Sequence, residues 1–276
     1  MLSRLSQLSV FSALALVGQG IGLTGTGVAL AQDATAELAK KLSNPVSSLI
    51  SVPFQFNYDR GFGPNNRGDR KTLDIQPVIP FSLNEDWNVI SRTVVPVIWQ
   101  HDIAGPSGNQ SGLGDVTQSF FISPKQPTAG GIIWGAGPVF LLPTATDDLL
   151  GGGKFGMGLT AVVLKQEGPW TVGALANHIW SVAGKGGRSD ISATYLQPFI
   201  SYRTSDAWTF TLNTESTYDW TAEQWSVPIN FQVSKLVKFG EQPVSLSAGV
   251  RYWAAAPKNG PRGWGPRVGL TFLFPT

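Results

Sequence analysis

From Val46 onward the chain is written with a period of two. In WTFTLNTESTY, Trp208, Phe210, Leu212 and Tyr218 share one parity, while Thr209, Thr211, Asn213, Glu215 and Thr217 share the other. In the stretch from Trp225 to Ser234, Trp225, Val227, Ile229, Phe231 and Val233 alternate with Ser226, Pro228, Asn230, Gln232 and Ser234. The last strand-like run sets Val268, Leu270, Phe272 and Phe274 against Arg267, Gly269 and Thr271. Successive side chains of a strand point to opposite faces, so each segment has one apolar face and one polar face. Two such faces cannot be buried in a single dry core.

Twelve segments of this kind follow one another: 47–58, 71–83, 87–100, 114–124, 130–143, 154–166, 170–182, 190–203, 207–218, 223–237, 243–254 and 264–274. Their connections alternate in length. Short turns (LNED, SPKQPTAG, KQEGPW, RTSDAW, FGEQP) take turns with longer Gly- and Asn-rich loops (DRGFGPNNRGDR, HDIAGPSGNQSG, PTATDDLLGGG, AGKGGRS, AAPKNGPRGW), and only YDWTAEQW is short on the long side. That rhythm predicts an all-β, up-and-down antiparallel transmembrane barrel with unlike ends, short turns toward the periplasm and longer loops outside. An even strand count puts both termini at the periplasmic end. The segments also suit the roughly 9–11 residues that a tilted strand needs to cross the hydrocarbon. Trp87, Trp170 and Trp208 follow short turns, and Trp99, Trp180, Tyr218 and Trp225 adjoin long loops, which is the two-belt pattern of a membrane barrel.

Composition points the same way. Charged residues are 14% of the chain, well below the roughly 25% of ordinary soluble domains. A soluble barrel or sandwich would carry many Lys and Glu on its outer face. The net charge of +2 gives no reason to expect nucleic acid, and the absence of cysteine excludes a disulfide framework and thiolate metal sites. Prolines inside strands (Pro53, Pro77, Pro80, Pro96, Pro138, Pro198, Pro228) remove ladder donors and favour bulges, so they leave the individual registers unfixed while the architecture stands.

Residues 1–31 have the form of a secretory signal peptide: Arg4 is the only charge, an apolar run centres on Val10–Val17, and Ala29-Leu30-Ala31 supplies a cleavage site. The mature chain is expected to begin at Gln32. A short helix is predicted over 32–45, with Ala34, Leu38 and Leu42 on one face, Asp33 or Thr35 as cap and Pro45 as stop. Such a helix is marginal alone and must plug the lumen, pack on the rim or stay loose. Residues 46–276 form the barrel in this scheme.

From Ala36 onward, four blocks resemble a proteobacterial outer-membrane family named for the meta-cleavage pathway of phenol degradation, whose members are often labelled simply "transporter". They are ELAKKLSNPVSSLISVPFQFNYD, GDVTQSFFISPK, LLPTATDDLLGGGKFGMG and GPRVGLTFLFP. The match extends over nearly the whole mature chain. It implies an outer-membrane barrel with a role in uptake of small, often aromatic, compounds, and it supplies no catalytic residues. The chain shares with that family a departure from the usual terminal aromatic, since Phe274 is followed by Pro275 and Thr276.

The residues carry little sign of catalysis. His101 and His178 are the only histidines, and no zinc-ligand spacing exists. Asp147-Asp148 beside Gly151–Gly153 lacks the alternate acidic positions of a calcium loop and reads as a flexible extracellular loop, and GGGKF lacks the phosphate-loop spacing. No cofactor or metal is expected, and no enzyme. One enzymatic alternative is an outer-membrane lipid hydrolase using His178, which parity places outward beside Trp180. By parity the lumen should present Asp74, Gln76, Arg92, Asn213, Glu215, Asn230, Gln232 and Arg251, with Tyr195, Gln197 and Phe199 as further candidates. Sparse charges of both signs suit a weakly selective passive channel for small solutes. The same ions could instead pair and brace a closed barrel, or the barrel could be a scaffold whose loops bind a surface ligand. Arginine on the lumen face, at Thr211 or Asn230, should be tolerated. Expected partners are outer-membrane lipid, lipopolysaccharide, the barrel-assembly machinery and a small solute.

Overall fold

The computed structural model describes residues 35–275. The signal peptide, its cleavage site, and Asp33 and Ala34 of the expected helix lie outside the described residues. Helix α1 occupies 35–42. Beyond it, fifteen hydrogen-bonded segments make twelve antiparallel strands, because three strands are interrupted once each. They are β1 Ile50–Phe62, β2 Gly68–Ile75 with Val78–Ser82, β3 Trp87–His101, β4 Asn109–Leu113 with Val116–Pro124, β5 Ile132–Leu142 and β6 Lys154–Glu167. There follow β7 Trp170–Gly184, β8 Ser192–Arg203, β9 Trp208–Thr214 with Ser216–Asp219, β10 Gln224–Phe239, β11 Gln242–Ala255 and β12 Gly263–Phe274.

Each strand pairs with its neighbours in sequence, and β12 returns to β1 in the register Ile50↔Phe274 to Asn57↔Arg267. The sheet is therefore closed. In hydrocarbon an open edge would leave a row of backbone groups without partners, so closure is the condition for spanning at all.

Each interruption has a proline at it or across from it, although Pro53, Pro80, Pro138 and Pro198 sit within unbroken segments. Pro77 divides β2, and the chain keeps its register across the break (Ile75↔Val95 before, Val78↔Arg92 after). In β4 the break faces Pro96, whose carbonyl accepts Gly114 N at 2.9 Å, and one extra residue is inserted there. In β9 the break falls at Glu215, whose N–H reaches Pro228 O at 3.4 Å across an unchanged register. A missing donor opens the ladder locally without ending the strand.

The outer face is apolar over its whole circumference, with Leu159, Leu212, Ile229, Phe231, Val250 and Val268 all exposed. An exposed apolar surface this extensive marks contact with lipid. Aromatic girdles bound it. At the short-turn end Trp170 packs on Tyr202 at 4.8 Å and Lys235 lies over Trp208 at 4.9 Å. At the long-loop end Tyr218 meets Trp225 at 5.0 Å and Tyr252 meets Trp264 at 4.8 Å. The chain is an outer-membrane-type β-barrel.

The inner face departs from the uniformly polar lining read from parity. On one side of the barrel Ile90, Phe121, Val162, Leu164 and Leu175 point inward and bury Val46 among them. The segment after α1 thus enters the lumen and makes a small dry core there. In β6 both parities are apolar, as in Thr160, Val162 and Leu164 against Leu159, Ala161 and Val163, so alternation could not tell lipid from interior.

Candidate functional site

The lumen is divided into three levels. At the long-loop end, segment 143–153 folds onto the barrel. The Asp115 carboxylate, at the β4 interruption, accepts Ala145 N at 3.1 Å and Gly152 N at 2.6 Å. Arg188 donates to Gly152 O at 3.1 Å, to Asp148 O at 2.8 Å and to Gly151 O. Leu150 is buried, and Gln100 of the lumen wall donates to Leu149 O at 3.1 Å. A Cβ on Gly151 would collide with Asp115 and Ala145, so that position requires glycine. The flexible loop expected from sequence is instead clasped at both ends.

Asp147 and Asp148 serve that clasp. Asp147 Oδ1 accepts Leu149 N at 2.8 Å, and Asp148 takes Lys185 Nζ at 2.7 Å. The hydrogen bond from Lys185, and then its charge, hold the Asp148 carboxyl below the usual carboxylate range. A depressed carboxyl keeps its contribution above its ordinary pKa of about 4 and loses it as the pH falls through the lowered value. The clasp should therefore be unaffected between about pH 5 and pH 8. Because Asp148 and Lys185 are both well exposed, D148N should change little. By contrast D115A deprives two backbone N–H groups of their acceptor and should release the segment. Limited proteolysis of intact vesicles would show it as much faster cleavage within 143–153.

The middle level is an ion network. Glu215 lies between two arginines: Arg251 Nη2 at 2.6 Å from Oε2, Arg267 Nη2 at 2.7 Å from Oε2 and Arg267 Nη1 at 2.9 Å from Oε1. Arg251 Nη1 also reaches Asp59 at 3.1 Å, and Trp253 Nε1 donates to the other Asp59 oxygen at 2.8 Å. Amides fix the remaining guanidinium donors: Arg251 Nε to Asn230 at 3.0 Å, Arg267 Nε to Asn57 at 2.8 Å, and Asn230 in turn to Asn213 at 2.8 Å. Two carboxylates meet two guanidinia, so the network is neutral. Arg267 is 1% exposed and Asn230 is 1% exposed, so this level is packed rather than open.

Below the network is a cavity of about 270 Å³. Its wall is mostly small hydroxyls and glycine from β1, β8, β9, β10, β11 and β12, among them Ser201, Thr211, Ser234, Ser247, Gly269 and Thr271. The floor is α1 and the turn after it. Ala39, with Leu38 and Leu42, packs on Leu49, Ala207, Leu236 and Leu273. Gln166 Nε2 donates to Lys40 O at 3.0 Å, and Asn44 Oδ1 accepts Val46 N at 3.0 Å to turn the chain upward. The helix therefore sits as a plug at the short-turn end.

The eight residues read as lumen-facing fall into these levels. Gln76, Arg92, Asn213 and Gln232 line the cavity. Glu215, Asn230 and Arg251 belong to the network, and Asp74 accepts Asn57 Nδ2 at 3.4 Å beside it. At the network level the ions pair with one another, as in the bracing alternative. Arginine at Asn230 is accordingly not expected to be tolerated, because that side chain is buried between Asn213 and Arg251. Gln197 and Phe199 line the cavity, and Tyr195 and Phe199 pack on the dry cluster. Asn57, Asp59 and Trp253 were not read from sequence. Their signal was available for β1, where Ser51, Pro53, Gln55, Asn57 and Asp59 share one parity.

His178 is on the outer wall, its ring 4.1 Å from Trp180. Its Nδ1 lies 2.7 Å from Thr194 Oγ1, which also accepts the Trp220 indole at 2.8 Å. Ser192 Oγ is 3.5 Å from Nε2, at the limit of a hydrogen bond, and a hydroxyl shared with an indole is not the carboxylate or amide orienter that a triad needs. The cluster is a girdle contact. No grouping of three or more metal-capable side chains occurs among the described residues.

No protein-family model and no curated protein matches the chain. Among solved structures, it is similar to an outer-membrane channel from Pseudomonas putida F1, with 15% identity over 82% of this chain and 96% of that one and a TM-score of 0.64. It is also similar to the NanC porin, with 9% identity over 81% and 98% of the two chains and a TM-score of 0.50. Outer membrane phospholipase A from Escherichia coli gives 12% identity over 87% and 98%, again at 0.50. At such identities the likeness establishes the outer-membrane barrel fold and nothing finer.

Proposed function

We propose that the chain is a passive outer-membrane channel for small solutes, normally held shut. The observation that carries this reading is the cavity of about 270 Å³ inside the barrel, floored by a docked helix rather than by strands. A helix that contributes no ladder bonds can leave without opening the sheet. The clasped loop above and the ion network below it would then be the other barriers along one path, with Asp74, Gln76, Arg92, Asn213, Glu215, Asn230, Gln232 and Arg251 along it. Small hydroxyls beside Leu175 and Phe199 suit a solute with an apolar body, in keeping with the aromatic compounds that the resemblance to the phenol-pathway family implies. In this scheme export cleaves the chain after Ala31, the assembly machinery inserts the barrel, and lipopolysaccharide surrounds its outer girdle.

The test is planar-bilayer conductance and liposome swelling with the mature protein. Deleting 33–44 removes the plug and should raise single-channel conductance several-fold while the barrel stays folded. If neither the mature protein nor the deletion passed any small solute, the channel reading would fall. The non-transporting alternative, a braced scaffold, is favoured by the neutral network around Glu215, and that outcome would select it.

A further inference from the structure

Within the cavity one cation stands apart from the network. Arg92, on β3, donates from Nη2 to Gln76 Oε1 at 3.0 Å and forms no ion pair among the described residues. A guanidinium carries five N–H donors in a planar fork, and here a single amide oxygen is its side-chain partner. Among the described residues, the only other charged side chain lining the cavity is Lys41, in the last turn of α1, and no carboxylate lines it. Of the acidic groups above it, Asp59 and Glu215 are held by Arg251 and Arg267, and Asp74, which lies within range of the Arg92 charge, accepts from Asn57. The cavity is thus positive by composition, while the network over it is neutral. A partly buried guanidinium with no carboxylate in contact keeps most of its donors unpaired, so the site suits an anion that enters it.

The rest of the lining narrows the anion. Val78, Leu175 and Phe199 form an apolar wall near Arg92, continuous with the dry cluster around Val46. A hydrated inorganic ion would gain nothing from that wall. A planar carboxylate matches the guanidinium fork, and an apolar body of one ring fits the available volume. We infer that the cavity is a binding site for a small organic carboxylate with a ring-sized apolar body, anchored by Arg92 and closed in by Lys41. This deepens the channel reading by naming its solute class, and it rests on that reading only for the role of the site in passage.

The experiment uses the mature chain refolded in detergent and in proteoliposomes. Calorimetry would compare benzoate with benzamide, which has the same ring and no charge. Benzoate should bind at least about tenfold more tightly. R92Q should abolish that preference, and R92K, which keeps the charge without the fork, should restore part of it. K41Q should weaken benzoate less than R92Q does. Heat-modified gel mobility would establish that each variant is folded. Equal binding of benzoate and benzamide, or unchanged benzoate binding by folded R92Q, would overturn the inference. Flux separates the two ideas. Arg92-dependent binding without any flux overturns the channel and upholds the site, whereas flux that ignores both charge and Arg92 upholds the channel and overturns the site.

Discussion

Replacing Glu215 with alanine should destabilise the barrel by about 3–5 kcal/mol, the usual cost of removing one partner from a buried ion pair. Glu215 is the carboxylate through which Arg251 and Arg267 are joined, with all three contacts at or below 2.9 Å. Without it the network keeps two guanidinia and only Asp59, and Arg267 has Asn57 alone at a site where it is 1% exposed. The pair of arginines would then repel across a narrow interior. E215Q should lose less, since its amide oxygen can still accept from one arginine. Urea unfolding in lipid vesicles, followed by tryptophan emission, measures the loss. The double variant E215A/R267A should recover part of it, because Arg251 and Asp59 remain a neutral pair. A loss below about 1 kcal/mol for E215A would mean that water screens the network as it does a surface pair. The bracing role would then be wrong. E215A should raise conductance for anions if the network bars the path, since two guanidinia and a single carboxylate would leave that level with a net positive charge.

Arginine at Leu212 should cost about 2–4 kcal/mol, the range for a cation set near the bilayer midplane on the lipid face of a barrel. Leu212 is exposed on β9 and lies opposite Phe231 on β10, well inside both girdles. One residue away, Thr211 lines the cavity, where water and hydroxyls can solvate the same charge. T211R should therefore cost much less in unfolding free energy. It should also narrow the cavity and slow any flux through it. Similar losses at both positions would contradict the assignment of faces. Asn230 has the parity of Thr211 across the ladder, yet arginine there would force apart Asn213 and Arg251. Facing the lumen is thus not the same as facing water.

That distinction separates what was legible in the residues from what was not. Strand number, direction, closure and lipid face follow from local chemistry. Each strand must satisfy its backbone in its neighbours and turn one parity to hydrocarbon, so alternation, loop lengths and aromatic ends state the architecture. The prolines were a weaker guide: Pro77, Pro96 and Pro228 lie at interruptions, but Pro53, Pro80, Pro138 and Pro198 sit in unbroken segments, so a missing N–H does not by itself say which ladder opens. The interior was different. Parity put Glu215, Arg251 and Arg92 on one face, but it carries no information about height along the barrel or about which strand lies across the lumen. Only closure of β12 on β1 brings Arg267 beside Glu215 from 52 residues away and Asp59 beside Arg251 from 192. Arg92, with the same parity, is left at the level of the cavity. Nor could the apolar face of α1 announce its target, because Leu49, Ala207, Leu236 and Leu273 come from four separate parts of the chain. The sequence by itself determined a closed barrel and, outside strands such as β6 that are apolar on both faces, its lipid-facing wall, because those rest on nearest-neighbour geometry and solvent. The tertiary structure alone decided which lumen ions pair, that Arg92 is outside the ion pairs of the described residues and where the helix seats, because those depend on contacts across the barrel that no local pattern encodes.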